Sequence, residues 1–241
     1  MPRDVGVIVV AAGSGTRFGG KVPKQFQPIG GVPMVVRAVQ PFAAHADVAQ
    51  VVLVLPRDHA KRPPAFLAEH IRASSSAPSS ARVPLTIVAG GDHRGESVRA
   101  GLAVLSDRCT VVLVHDAARP FVELPVIDAV IGYARKGEGA VPGVPLSDTL
   151  KESVRADPTR VSCTRPRARL WRAQTPQGFP RAILIEAYAR AARLGRRATD
   201  DAALVEAMGI PVRLVPDSSR NLKVTTPEDL ALAELLAGAR A

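Results

Sequence analysis

The chain has 241 residues, 46% of them hydrophobic but only 4% aromatic, with 32 basic against 22 acidic side chains and a formal charge of +10. That length admits one large domain or two small ones, and that apolar fraction excludes a disordered chain and leaves Val, Leu, Ala and Ile to form the core. The positive balance suits a polyanionic partner, nucleic acid or a phosphorylated small molecule, although the arginines are scattered along the chain. Cys109 and Cys163 stand too far apart for a metal spacing or a disulfide framework, so a reduced, cytoplasmic protein is the default. No apolar run approaches the ~18 residues of a membrane span, and MPRDVGVIVVAAG lacks the layout of a signal peptide.

In chain order, Val5–Val10 is a near-continuous apolar run, as are Val51–Leu55, Leu85–Ala89 and Val111–His115. Such runs suit strands covered on both faces. Amphipathic segments lie between them: Pro33–Ala44, which Pro41 should end or kink, Glu96–Leu105 and Leu124–Arg135. The alternation implies βαβ units, an α/β fold with a mostly parallel sheet and helices on both faces. Arg72–Pro84, RASSSAPSSARVP, reads as a surface loop and not a domain boundary, because the alternation resumes after it. Ala140–Pro145 suits a further strand. Asp148–Leu170 is charged and poor in apolar residues, so it reads as an extended excursion. Helical patterns return at Pro180–Leu194 and Asp200–Met208, with a short strand at Val212–Val215. The last helix has a clear start: Thr226 can cap, Pro227 suits the first turn, and Glu228 and Asp229 face the positive end of its dipole.

The segment AAGSGTRFGGKVPKQF, Ala11 to Phe26, places glycines and basic side chains where the first strand ends. Glycines allow a sharp turn and close approach, and the cations add positive charge at the same place, which together suggest a phosphate site. A dinucleotide fingerprint needs a third glycine where Phe18 stands, and an acid after the second strand, where Pro56-Arg57 follow. A nucleoside-triphosphatase loop runs from Gly15 to Lys21 but meets Val22 where a hydroxyl should hold magnesium. The third candidate is a longer loop that wraps a nucleoside triphosphate with backbone N–H groups and sets Arg17 and Lys24 on its phosphates. A-A-G-x-G-x-R followed by P-K-Q resembles the nucleotidyltransferase loop.

Later segments narrow this. GGDHRGESVRAGL follows the third strand, VHDAARPF the fourth, and TPQGF, TDD and NLKVTTPEDL come late. Together with the opening loop, and over essentially the whole chain, they resemble the 2-C-methyl-D-erythritol 4-phosphate cytidylyltransferase family of the non-mevalonate isoprenoid pathway. The resemblance implies a nucleotide-diphospho-sugar transferase type of fold, one domain over residues 1–241, with an extended β-arm at about 146–172. It implies attack by the phosphate of methylerythritol phosphate on the α-phosphorus of CTP, giving CDP-methylerythritol and pyrophosphate. The attacking group is already an anion, so the demand is for positioned cations and a divalent metal such as Mg2+, not for a strong base.

By the same resemblance, Arg17 and Lys24 stabilise the transition state, each contributing on the order of 3 kcal/mol by analogy with an oxyanion donor. Ala11, Ala12, Gly13 and Gly15 contact the nucleotide through backbone groups, and Gly91 and Ser97 read the cytosine. Asp116, at the end of a buried strand, lies close to the metal and the substrate; taken as a residue alone it is more commonly a turn-capping carboxylate. Arg119 is read as binding the sugar phosphate, with pairing to a neighbour as the alternative. Arg167 and Lys223 orient the methylerythritol phosphate, and Thr149, Thr175 and Thr199 match polar contacts to it. Arg94 supports the glycine turn, and His115 reads as a packing or hydrogen-bonding residue. The resemblance also implies a homodimer, in which the arm brings Thr149 and Arg167 to the partner's site.

Two positions depart from the family pattern: Val10 stands where proline is frequent, and Ser218-Ser219-Arg220 precedes Asn221 where an acid is often found. A cytidylyltransferase for another polyol phosphate, such as ribitol 5-phosphate, would use the same chemistry with a different acceptor pocket. A basic RNA-binding module would also explain the charge, but would call for stacking aromatics and a concentrated basic face, neither of which the sequence has. The expected partners are therefore CTP and the sugar phosphate, without nucleic acid or membrane.

Overall fold

A computed structural model describes residues 3–13, 18, 22–67, 83–197 and 199–239. Its frame is an eight-stranded sheet. The first strand, β1 (Val5–Val10), pairs in parallel with β4 (Val48–Leu55) on one side and β6 (Val111–Asp116) on the other, and β4 pairs in parallel with β5 (Leu85–Ala89). A two-residue hairpin, β2 (Pro28–Ile29) and β3 (Val32–Pro33), lies outside this sheet. Beyond β6 the sheet becomes mixed. β11 (Gln177–Pro180) runs antiparallel between β6 and β7 (Gly139–Pro145), β10 (Trp171–Ala173) runs antiparallel on β7, and β12 (Val212–Pro216) pairs with β7 in parallel.

Helices cover both faces because the central strands alternate two apolar sets. Val5, Val7 and Val9 join the face closed by α1 (Met34–Ala43) and the helix Leu124–Arg135. Ile8, Val52, Val112 and Val114 join the opposite face, closed by the helices Arg94–Val104 and Arg181–Arg193. Counting the short α2 (Arg57–Lys61), these three helices are α3 (Arg94–Val104), α4 (Leu124–Arg135) and α5 (Arg181–Arg193). Two more follow, α6 (Ala202–Glu206) and α7 (Pro227–Gly238). Helix α1 ends two residues after Pro41, whose missing N–H is tolerated in the last turn. Thr226 and Asp229 form the reciprocal capping box of α7.

Close helix–sheet packing depends on Gly178 in β11. A Cβ there would overlap Val130 Cγ1 and come within 2.8 Å of Leu113 Cδ2. Gly178→Ala is expected to destabilise the fold by roughly 1–3 kcal/mol through overpacking, measured as a shift in the urea midpoint; an unchanged midpoint would show that α4 yields freely.

The excursion at Asp148–Leu170 contains a separate two-stranded ladder, β8 (Leu150–Val154) and β9 (Asp157–Arg165). Of the stretch Arg72–Pro84, expected to be a surface loop, residues 72–82 lie outside the described residues. Among the described residues no helix is long and apolar enough to cross a membrane.

Candidate active site

The chain proceeds from β1 outward through β4 and β5, then returns to the other side of β1 as β6. In an open α/β sheet this switch of direction leaves a crevice at the carboxyl ends of the strands. Val10 and Asp116 sit side by side there as the paired last residues of β1 and β6. A cavity of about 520 Å³ occupies the crevice, walled by Ala11, Ala12 and Gly13 after β1, Gly91 to Arg94 and Ser97 after β5, and Asp116 to Ala118 after β6. Lys24, Gln25, Lys223 and Thr225 close it.

Gly90 makes the close approach of two of these walls possible. A Cβ there would overlap Ala12 Cβ and lie 2.7 Å from Ser97 Oγ. At Gly91 a Cβ would overlap the Glu96 side chain, whose carboxylate instead accepts the Asp92 N–H at 2.8 Å. The turn thus brings Gly91 and Ser97 to the cavity, with Ser97 buried on the first turns of α3.

Asp116 is the electrostatic centre. Its Oδ2 accepts from Lys223 Nζ at 2.7 Å and its Oδ1 from Arg94 Nε at 3.3 Å. Burial pushes its pKa up, but Arg94 and Lys223 outweigh that and hold the carboxyl well below the usual carboxylate range. The other end of Arg94 donates to Asp201 Oδ2 at 2.8 Å, and Asp201 also accepts from the Tyr188 hydroxyl. Burial pulls the Arg94 pKa down; Asp201 and Asp116 more than restore it and leave it raised. Gln177 Oε1 takes the backbone N–H groups of Asp201 and Ala202, so β11 carries this second carboxylate into place.

Behind Asp116 a neutral chain of hydrogen bonds sets its backbone. His115 Nε2 faces the Arg119 carbonyl at 2.9 Å, which can only accept, so Nε2 carries the proton. Nδ1 must then accept from the Thr175 hydroxyl at 3.0 Å, and Thr175 Oγ1 in turn accepts the Asp116 N–H at 3.0 Å. Burial lowers the His115 pKa to about 4. The neutral ring therefore contributes stability that is full above the unfolded value of about 6.5 and is lost as pH falls toward 4, up to roughly 3 kcal/mol. The melting temperature is expected to decline across that window, and less steeply in His115→Gln; identical slopes would remove His115 as the source.

Arg119 is buried one layer further back. Its guanidinium donates to the carbonyls of Asn221 at 2.7 Å and Ala173 at 3.3 Å. Burial lowers its pKa against the pull of Asp116 and Asp217. Asn221 in turn donates to Asp217 Oδ2 at 2.7 Å and to the Thr175 carbonyl at 3.0 Å. Arg119 and Thr175 therefore fix the strand-end loops and are not among the cavity-lining residues. Lys24 Nζ donates to the Val224 carbonyl at 2.9 Å, tying the loop after β1 to the segment that bears Lys223.

The crevice thus gathers Ala11, Ala12, Gly13, Lys24, Gly91, Ser97, Asp116 and Lys223. Thr149 and Arg167 are exposed on and beside the arm, and Thr199 is exposed ahead of α6; none of the three lines the cavity of its own chain. Gly15 and Arg17 lie outside the described residues. Two site residues are not singled out by the sequence: Gln25, which is 5% exposed with its amide nitrogen unpartnered among the described residues, and Asp201. Gln25 has a usable signal in P-K-Q; Asp201 has only the TDD triplet.

No three-residue cluster of metal-binding type occurs among the described residues. A single ionised carboxylate, Asp116, fits Mg2+ of the kind held by one carboxylate and the substrate's own phosphates.

The family model described as "IspD: 2-C-methyl-D-erythritol 4-phosphate cytidylyltransferase" matches residues 5–238. A 2-C-methyl-D-erythritol 4-phosphate cytidylyltransferase of Streptomyces coelicolor is 41% identical over 99% of this chain and 87% of its own length. One from Syntrophus aciditrophicus is 40% identical over 97% and 96%. The crystal structure of the enzyme of that name from Thermus thermophilus superposes with a TM-score of 0.74 at 34% identity, covering 96% of this chain and 98% of the other. With the glycine turns, the cationic crevice and the sheet that frames it, these matches establish that the chain belongs to the 2-C-methyl-D-erythritol 4-phosphate cytidylyltransferase family.

Proposed function

We infer that the protein transfers the cytidylyl group of CTP to 2-C-methyl-D-erythritol 4-phosphate, giving 4-CDP-2-C-methyl-D-erythritol and pyrophosphate for isoprenoid precursor synthesis. The observation that carries this reading, beside the family, is Asp116 held between Arg94 and Lys223 at the mouth of the β1–β6 crevice. The sugar phosphate oxygen attacks the α-phosphorus in line. The bond from that phosphorus to the β-phosphate bridge breaks, and pyrophosphate leaves with the electron pair.

Ala11, Ala12, Gly13 and Gly15 cradle the triphosphate with backbone groups, and Gly91 and Ser97 receive the base. Arg17 and Lys24 meet the charge that builds at phosphorus. Asp116 would hold Mg2+ together with the phosphates, and the ion would supply further charge neutralisation there. Lys223, paired with Asp116 at the crevice, would carry the positive charge for the acceptor phosphate. Thr175 and Arg119 act on the acceptor side through the loops they fix, and Thr199 contributes from the turn before α6.

One catalytic unit spans residues 1–241, with the arm at about 146–172. Two-stranded ladders are marginal alone in water, and the arm exposes Val161 and, at its base, Leu170. These features support a homodimer in which the arm carries Thr149 and Arg167 to the partner's crevice. Light scattering should give twice the chain mass, and a monomer would refute it. The two cysteines are free, which suits a reducing cytoplasm.

Pyrophosphate release with CTP and each polyol phosphate tests the assignment. Methylerythritol phosphate should turn over fastest; faster turnover of ribitol 5-phosphate would transfer the assignment to that acceptor.

A further inference from the structure

A second cavity, of about 470 Å³, opens on the far side of the turn that carries Ser97. It lies between α3, the C-terminal half of α5 and the segment leading into α6, and it shares only His93 and Arg94 with the nucleotide crevice. Its size is that of a small-molecule pocket, well beyond a bare inorganic ion.

Four arginines line it, Arg94, Arg99, Arg196 and Arg197, against two carboxylates, Glu96 and Asp200. Both carboxylates accept hydrogen bonds from neutral donors. Glu96 takes the Asp92 N–H at 2.8 Å; Asp200 takes Gln177 Nε2 at 2.8 Å and the Ala203 N–H at 3.1 Å. Arg94 is committed to Asp116 and Asp201. Arg99, Arg196 and Arg197 have no hydrogen-bond or ion-pair partner through their side chains among the described residues. With Arg94 committed, three arginines against two carboxylates leave the lining net positive.

The placement of these cations is built into the fold. Helix α5 ends in a Schellman motif: Gly195, with φ of +59°, donates to the Ala192 carbonyl at 3.2 Å, and the Arg196 N–H reaches back to Ala191 at 2.9 Å. A side chain at Gly195 would strain this left-handed turn, so the glycine fixes the exit of the chain and turns Arg196 and Arg197 toward α3. Helix α3 begins at the same cavity, and its N-cap, His93, supplies no side-chain acceptor to the first turn. Positive helix ends and guanidinium groups both favour phosphate oxygens. The remaining wall is apolar or aromatic: Tyr188, Ala191, Ala192 and Leu204.

We propose that this cavity binds a small organic phosphate with a compact apolar body, separately from the nucleotide. The arginines and the α3 N-terminus take the phosphate, and the Tyr188–Leu204 wall takes the carbon part. The site does not depend on the proposed reaction; the two can stand or fall independently, because turnover reports one and equilibrium binding the other.

Calorimetry on the full chain, held with saturating CTP and magnesium but no acceptor, tests it with pentyl phosphate and inorganic phosphate as probes. Pentyl phosphate should bind, and at least several-fold more tightly than inorganic phosphate. The double substitution Arg196→Ala/Arg197→Ala should weaken it tenfold or more while leaving turnover of CTP unchanged, and Arg99→Ala should weaken it by a smaller factor. Absence of binding would overturn the proposal. So would binding that survives the double substitution but is lost in Lys223→Ala, which would place the probe at the acceptor site. Equal affinity for the two probes would overturn the ligand class.

Discussion

Lys24→Ala is expected to lower turnover by on the order of 10²–10³ while leaving the melting temperature within a few degrees of wild type. The loss corresponds to about 3–4 kcal/mol, the usual consequence of removing one preorganised charge-stabilising group. Lys24 opens a short 3-10 turn whose next two residues, Gln25 and Phe26, are buried, so the backbone that presents the ammonium is anchored. Its bond to the Val224 carbonyl holds it at the crevice next to the segment of Lys223. Alanine removes the cation and its bond to Val224 but leaves the buried Gln25 and Phe26 in place. Lys24→Arg should recover part of the rate, because charge is retained while the geometry changes. Steady-state pyrophosphate release and a thermal melt together decide the matter. Wild-type turnover in the alanine variant would take Lys24 out of the mechanism; a collapsed melt would assign it a structural role.

Asp116→Asn is expected to reduce activity at least as strongly and, unlike Lys24→Ala, to destabilise the fold. The carboxylate sits between two cations, Arg94 and Lys223, with the buried Arg119 behind it. Removing one member of a buried charge network leaves its partners uncompensated, which typically costs about 3–5 kcal/mol; partial exposure of Lys223 places this case at the lower end. The pH dependence has a definite sign. The folded carboxyl is held below its ordinary value, so its contribution is complete above the unfolded pKa of about 3.9 and is lost as pH falls below it. Wild type and Asp116→Asn should therefore differ most at neutral pH and approach one another in acid. Denaturant midpoints at pH 7 and pH 3 measure this, and a gap that widens in acid would contradict it.

The legible part of the fold is the part dictated by local pattern. Val5–Val10, Val48–Leu55 and Val111–Asp116 are buried along nearly their whole length, so their side chains carry the signal on both faces. The Thr226 cap of α7 was legible because Thr, Pro and two acids follow one another in sequence; the reciprocal bond from Asp229 that completes the capping box is added by the structure. β10 and β11 were not legible. Trp171-Arg172-Ala173 and Gln177-Gly178-Phe179-Pro180 are too short and too broken by Gly and Pro to show a period, and they become strands only by pairing with β6 and β7.

The site divides in the same way. Asp116 could be placed at the crevice because it ends a buried strand, whereas Gly91 and Ser97 rested on the family resemblance; the structure gathers all three there. The Arg94–Asp201–Tyr188 support could not be foreseen, since Arg94 and Asp201 are 107 residues apart and their contact is set by how β11 and α5 pack. Arg119 reads from the sequence as a phosphate-binding residue, with pairing to a neighbour as the alternative; in the structure its guanidinium donates to two backbone carbonyls and ties β6, β10 and the Asn221 turn together. The serines at 218 and 219 leave no carboxylate there, but Asp217 supplies one to Asn221 from the end of β12.

The proposed reaction requires the crevice at the ends of β1 and β6 to seat a nucleoside triphosphate. Titration calorimetry of CTP with magnesium into the purified chain measures this directly. One molecule of CTP per chain should bind, with affinity lowered at least tenfold in Lys24→Ala and little changed in Arg196→Ala/Arg197→Ala. No detectable CTP binding, or binding indifferent to Lys24, would contradict it.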